Sequence, residues 1–205
     1  MSSADPGSGA VGRRRLHTRT IVVEVYARED GLLDLEARLT DVKDHELALP
    51  SGMRPAGAPV HDMHLNVRID QDFNVVDAAG RSAAVPYPGF CETIGPAYGA
   101  LKGLNLLDKF RKAVMQAIGG VRGCTHLSEL AGVLPTAAVQ AAAGVRQQDP
   151  DAQPFQLDRC HALVTDGAAV QRFYPRGFRA AGPGAVAAQA VAADAPATVS
   201  TPSPA

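Results

Sequence analysis

The sequence predicts an α+β fold, an antiparallel sheet with helices packed on one face. Three observations carry that expectation. The first half of the chain alternates apolar and polar residues with a period of two, the second half spaces its apolar residues for helices, and an Asp-Gly pair sits between the first two alternating runs. Strands grouped first and helices grouped after them is the α+β order.

The run TIVVEVYARE sets Ile21, Val23 and Val25 on one face, with Glu24, Tyr26 and Arg28 largely on the other. Asp30-Gly31 is the strongest short hairpin signal in the chain. The return strand sets Leu33, Leu35, Ala37 and Leu39 against Asp34, Glu36, Arg38 and Thr40. A proline-containing loop near residues 50–59 interrupts the pattern. Next, His61, Met63, Leu65, Val67 and Ile69 oppose Asp62, His64, Asn66, Arg68 and Asp70, as in a sheet covered on one side. FNVVDAAGRSA supplies a short partner strand.

The helical half opens at residues 104–118, where Leu104, Leu107, Phe110, Val114, Ala117 and Ile118 form one stripe, closed by Gly119-Gly120. A second helix is expected from Thr125 through Leu127, Leu130, Ala131 and Leu134, kinked or restarted at Pro135. In CHALVTDGAAVQRFYP, Asp166-Gly167 suggests a further hairpin or turn. Residues 1–15 read as a disordered N-terminal tether, 16–179 as one α+β domain, and 180–205 as a disordered Ala/Pro-rich tail.

With 46% hydrophobic residues, 20% charged residues and a formal net charge of −1, the chain lacks the basic face a nucleic-acid binder needs. Arg13, Arg14 and Arg15 form the basic run and read as part of a solvated tether. No apolar stretch approaches the ~18 residues of a membrane helix, and the N-terminal charge order is the reverse of a secretory signal. A cytoplasmic location is expected, with the three cysteines reduced. Nucleic acid and membrane are not expected partners; a protein partner stays open, and so does the oligomeric state.

The residues with chemistry in them are few. Cys124 falls between the glycine break and the second helix, where unsatisfied N–H groups and the helix dipole favour a thiolate. Thr125 can cap that helix, and His126 lies two residues from the thiol. His61 shares the inner strand face with Met63 and Leu65. Asp62 belongs to the outer face unless the strand begins with a bulge. Cys91 sits in the irregular segment PYPGFCETIG. Cys160 and His161, as neighbours, should not both enter one site. Glu36 and Asp41 are expected at solvent. No C-x-x-C pair, phosphate-binding glycine loop, G-x-S-x-G elbow or H-E-x-x-H is present. On these residues alone Cys124 and His126 could be core, ligands, or a nucleophile with its base.

HTRTIVVEVYAREDGLLDLEARLTDVK, PVHDMHLNVRID, GCTHLSEL and DRCHALVTDGAAVQRFYPR together resemble a bacterial domain-of-unknown-function family, number 2889, over about residues 14–179. The positions matching its pattern are His17, Arg19, Asp30, Gly31, Glu36, Asp41, Lys43, His61, Asp62, Cys91, Cys124, Thr125, His126, Cys160 and His161. The resemblance implies no activity. More distantly, HDMHLNVRIDQDFNVVDA, GFCETIG and GCTHLSELA resemble the IscU/NifU-type iron–sulfur scaffold fold. That likeness lays the scaffold's aspartate on His61, its loop cysteine on Cys91 and its late cysteine on Cys124. Pro59 stands where the scaffold has its first cysteine.

Three functions follow as expectations. The first is a metal-binding domain, with Zn or Fe held by His61, Cys91 and Cys124 and with His126 or Asp62 as fourth or supporting group. The second is a cysteine-dependent enzyme, with Cys124 as nucleophile, His126 or His61 as base and Asp62 orienting it. The third is a metal-free interaction domain with buried thiols. Whether the chain is an enzyme is left open by the sequence.

Overall fold

The computed structural model describes residues 11–145, 154 and 156–180. Most of the expected tether and tail, residues 1–10 and 181–205, lie outside the described residues. The chain divides into two compact units, Met1–Arg146 and Gln147–Ala205.

The first unit is built on four antiparallel strands, β1 (His17–Ala27), β2 (Leu33–Lys43), β5 (Pro59–Ile69) and β6 (Val75–Ala84), in the spatial order β1-β2-β5-β6. A small hairpin, β3 (Leu47–Leu49) and β4 (Gly52–Arg54), occupies part of the expected proline-containing loop. The Asp30-Gly31 signal marks the first hairpin correctly. Gly31 takes φ 80°, Asp30 Oδ1 accepts the Leu32 N–H at 3.3 Å, and Ala27 pairs with Leu33 across the turn. A left-handed φ of this kind is open to glycine at little cost.

The alternation reads through to burial. Leu35, Leu39, Met63, Leu65, Val67 and Ile69 are buried on one face of the sheet. Against that face lies α2 (Thr125–Val145), which contributes Leu127, Leu130, Ala131, Leu134 and Ala138 to the core. The helix runs through Pro135 without a break, although the proline has no N–H for the preceding turn. Nearby, Arg111 Nε donates to the Gly132 carbonyl at 2.8 Å.

The first helix is shorter than its stripe suggests: α1 spans Phe110–Ile118. Residues 104–106 use their backbone groups elsewhere. Val75 N–H donates to Leu104 O at 2.8 Å, Leu106 N–H donates to Phe73 O at 2.9 Å, and Asn105 bridges Asn74. The apolar stripe is therefore a correct reading of burial for Phe110, Val114 and Ile118, but a strand-like attachment takes its first residues.

The irregular segment around Cys91 is a 3₁₀ turn over Cys91–Leu101 that lies directly on β6. The approach is close enough that a Cβ on Gly95 would stand 2.3 Å from the Gly80 carbonyl oxygen. Backbone cannot yield as a side-chain tip can, so Gly95→Ala is expected to destabilise the fold by roughly 2 kcal/mol. Gly99→Ala meets nothing closer than 4.0 Å and should be tolerated. Urea unfolding of the two variants checks this, and equal midpoints would contradict the close approach.

In the second unit, α3 (Ala168–Phe173) follows a turn at Asp166-Gly167, where the Gly167 N–H donates to Val164 O at 2.8 Å. Among the described residues of this unit, Leu157 and Val170 are buried. Among the described residues no helix is long and apolar enough to cross a membrane.

Candidate metal centre

Register brings the site together before any side chain is considered. Arg19 on β1, Asp41 on β2 and His61 on β5 are direct cross-strand partners, one row across the sheet near one end. A register irregularity follows immediately at Asp41/Val42. The first turn of α2 passes over this row and carries His126, with Cys124 just before the helix. Tyr98, from the 3₁₀ turn, holds that helix start. Its hydroxyl donates to Cys124 O at 2.8 Å, receives the Cys124 N–H at 3.1 Å, and lies 3.0 Å from Ser128 Oγ.

Asp41 is the hub, and only 3% of its surface is exposed. Arg19 grips both oxygens, Nε to Oδ1 and Nη2 to Oδ2, each at 2.8 Å. His17 Nε2 lies 3.1 Å from Oδ1. His61 Nδ1 at 3.0 Å and His126 Nε2 at 3.5 Å both address Oδ2. The third nitrogen of Arg19 reaches Glu129 Oε2 at 2.5 Å, tying the strand to the helix. The rings of His61 and His126 face one another with centroids 3.8 Å apart and planes tilted by 31°. Asp41, His61 and His126 each offer one ligand atom, and these atoms lie within 4.8 Å of one another.

The electrostatics prepare these groups to donate electron pairs. Burial alone would raise the Asp41 carboxyl, but the Arg19 hydrogen bonds and charge, aided by His61 and His17, hold it below the usual carboxylate range. Burial lowers His61, and the facing His126 lowers it further against the pull of Asp41. Burial pushes the Cys124 thiol up, yet its contact with His126 and the N–H groups of Leu127 and His126 bring it below its ordinary value. Cys124 Sγ lies 3.7 Å from His126 Nδ1, the ring nitrogen turned away from Asp41.

A family model described as "Protein of unknown function (DUF2889)" matches residues 17–140. The chain belongs to this family. No curated protein and no solved structure matches, so the likeness to the iron–sulfur scaffold fold gains no support from them. The DUF2889 segment runs from the first residue of β1 into α2 and contains every residue of the Asp41 cluster. It stops short of Cys160 and His161, which are both exposed in the second unit.

Within the DUF2889 segment the expected site residues separate. His61 and His126 meet on Asp41. Cys124 stands behind His126, outside the group of three. Cys91 lines a pocket together with His61, Cys124 and His126 but is not part of that group either. Asp62 lies on the opposite face of the sheet, gripped by Arg38 at 2.8 and 2.9 Å and approached by His64 Nε2 at 3.1 Å. The register does shift at Asp62/Met63, but the irregularity leaves Asp62 pointing outward among these partners.

Asp41 is the correction in the other direction. It was expected at solvent, and it is buried. The signal was present: counting by twos from Leu33 through Leu39 places residue 41 on the inner face, and the same count from Ile21 back reaches Arg19 and His17. A charged residue at the end of an apolar row reads naturally as the strand's exit into water, and here the arginine beside it allows it to stay inside.

The shifts set a pH dependence for the metal-free protein. His61 and His64 are both lowered by burial, so below their ordinary value of 6.5 the unfolded chain binds protons that the folded chain refuses. Stability is then complete above about pH 6.5 and falls as the pH drops beneath it. Asp41 and Asp62, held below 3.8, add a second loss as the pH falls through their depressed values. Urea midpoints measured between about pH 8 and 5 should decline on the acid side, less steeply in His61→Asn. A flat profile for the parent protein would count against buried neutral imidazoles.

Proposed function

We propose that the domain binds a divalent metal ion through Asp41, His61 and His126, with zinc or ferrous iron as the ion. The observation that carries this reading is the convergence of the three ligand atoms around one carboxylate oxygen. Ligand atoms of a tetrahedral ion bound at ~2.0–2.2 Å lie ~3.3–3.6 Å apart. The separations of 3.0 Å for His61 and 3.5 Å for His126 from Asp41 Oδ2 fall within a few tenths of an ångström of that range.

The chemistry agrees with the spacing. Two imidazoles and one carboxylate serve zinc in hydrolytic sites and ferrous iron in open facial triads. Apart from its imidazoles, the cluster holds one positive charge on Arg19 against negative charges on Asp41 and Glu129. A Cys124 thiolate would add a third negative charge, leaving a surplus of two that suits a divalent ion. Cys124 can accept the Nδ1 proton of His126, the kind of outer contact that orients a ligating ring. Three protein ligands leave coordination positions open, which is the arrangement of a catalytic or exchangeable ion. The free thiols fit a reducing compartment such as the cytoplasm.

Metal analysis of protein prepared without a histidine tag tests the proposal. One equivalent of zinc or iron, lost in His61→Ala, is expected; no bound metal after reconstitution would overturn it.

A second reading has its own observation. Cys124 Sγ, His126 and Asp41 form a relay, with each ring nitrogen of His126 facing one partner. That order suits a thiol nucleophile with its base and orienting carboxylate. Iodoacetamide labelling of the metal-free protein separates the two readings. Selective labelling of Cys124 that slows markedly in His126→Ala favours the relay, and equal rates in both proteins remove it.

A further inference from the structure

A pocket of about 600 Å³ opens beside the imidazoles of His61 and His126, and its walls do not match the charged cluster behind it. Met63, Val85, Pro86, Tyr87, Phe90 and Ile94 supply the apolar lining. Thiols, imidazoles and two threonines provide the polar side chains, and no Asp, Glu, Lys or Arg lines the pocket among the described residues. Phe90 is 80% exposed and Tyr87 52%, two aromatic rings left at solvent within one turn, where the Phe90 N–H donates to Tyr87 O. Large exposed aromatics next to a concave apolar wall mark a binding surface.

We infer that this pocket takes an uncharged aromatic small molecule, its ring between the apolar wall and the rim aromatics and one polar atom toward His61, His126 and Cys124. The chemistry of the walls selects that class. A charged body would lose its hydration with no counter-charge in the lining to replace it. A flat ring can stack against Tyr87 or Phe90 in offset or edge-on geometry, and the volume lies in the range of sites for drug-sized molecules. The inference extends the metal-site reading by naming what its open side receives, and it rests on that reading for the role of the ligand's polar atom. The apolar walls are independent of any ion.

The three cysteines give the test a built-in control. Cys91 and Cys124 line the pocket, whereas Cys160 is exposed in the second unit. Alkylation of the chelator-treated full chain by iodoacetamide would be followed at each cysteine by mass spectrometry, with and without 2-naphthol as a neutral aromatic probe. 2-Naphthol should slow Cys91 and Cys124 at least threefold and leave Cys160 unchanged. Naphthalene-2-sulfonate at the same concentration should protect much less. In Phe90→Ala, whose side chain is mostly solvent-exposed, half-protection should need at least fivefold more 2-naphthol.

No protection, equal slowing of all three cysteines, or equal protection by the sulfonate would overturn the inference. A zinc titration on the same protein reads the metal site separately. Zinc uptake without protection removes this proposal alone, and protection without zinc uptake removes only the metal reading.

Discussion

Asp41→Asn is expected to destabilise the domain by about 3 kcal/mol, the cost of leaving the partners of a buried charge uncompensated. The substitution preserves shape, so packing is not the cause. Arg19 loses a carboxylate that takes two of its N–H groups, and the asparagine NH2 turns a donor toward one side of a ring of donors formed by Arg19, His17 and His61. Asp62→Asn provides the comparison. Asp62 also receives two bonds from an arginine, but Arg38 is 54% exposed and the pair lies on the outer sheet face, where such pairs contribute about 0–1 kcal/mol. Urea unfolding of both variants at neutral pH reads the difference. A loss at Asp41 no larger than at Asp62 would mean that the hub is not energetically buried.

The second large effect concerns metal affinity and its division among three side chains. In the proposed ligand set His126→Ala removes a ligand, so it is expected to weaken zinc binding by more than about 100-fold. Cys124→Ala removes the group behind the ligand, and changes at that distance cost about 10–100-fold. Cys91→Ala should change affinity little, because Cys91 lies on the pocket wall outside the group of three. Competition titrations against a chromophoric chelator measure all three. The reverse order, with Cys91 and Cys124 dominant and His126 dispensable, would restore the thiolate-based set that the sequence suggested.

How much was legible before the structure follows from what each residue depends on. The alternation in β1, β2 and β5 depends on local pattern, and it gave the sheet face and the inward direction of His61. The start of α2 at Thr125 depends on local signals too, the glycine break and the apolar spacing after it. The shortened α1 does not, because residues 104–106 attach to backbone around residues 73–75, far away in sequence. The cluster around Asp41 was not legible for a related reason. Cysteines attract attention by residue type, whereas Asp41 becomes significant only when Arg19 and His61 are known to flank it across the sheet. Strand order supplied that fact, and periodicity by itself does not contain it.

X-ray absorption at the zinc edge, on tag-free protein reconstituted with one equivalent of metal, tests the central claim most directly. Coordination by Asp41, His61 and His126 predicts a first shell of nitrogen and oxygen at ~2.0–2.2 Å, with the outer-shell scattering of two imidazoles. A sulfur shell at ~2.3 Å would instead place Cys91 or Cys124 on the ion, and a protein that retains no stoichiometric metal would contradict the account altogether.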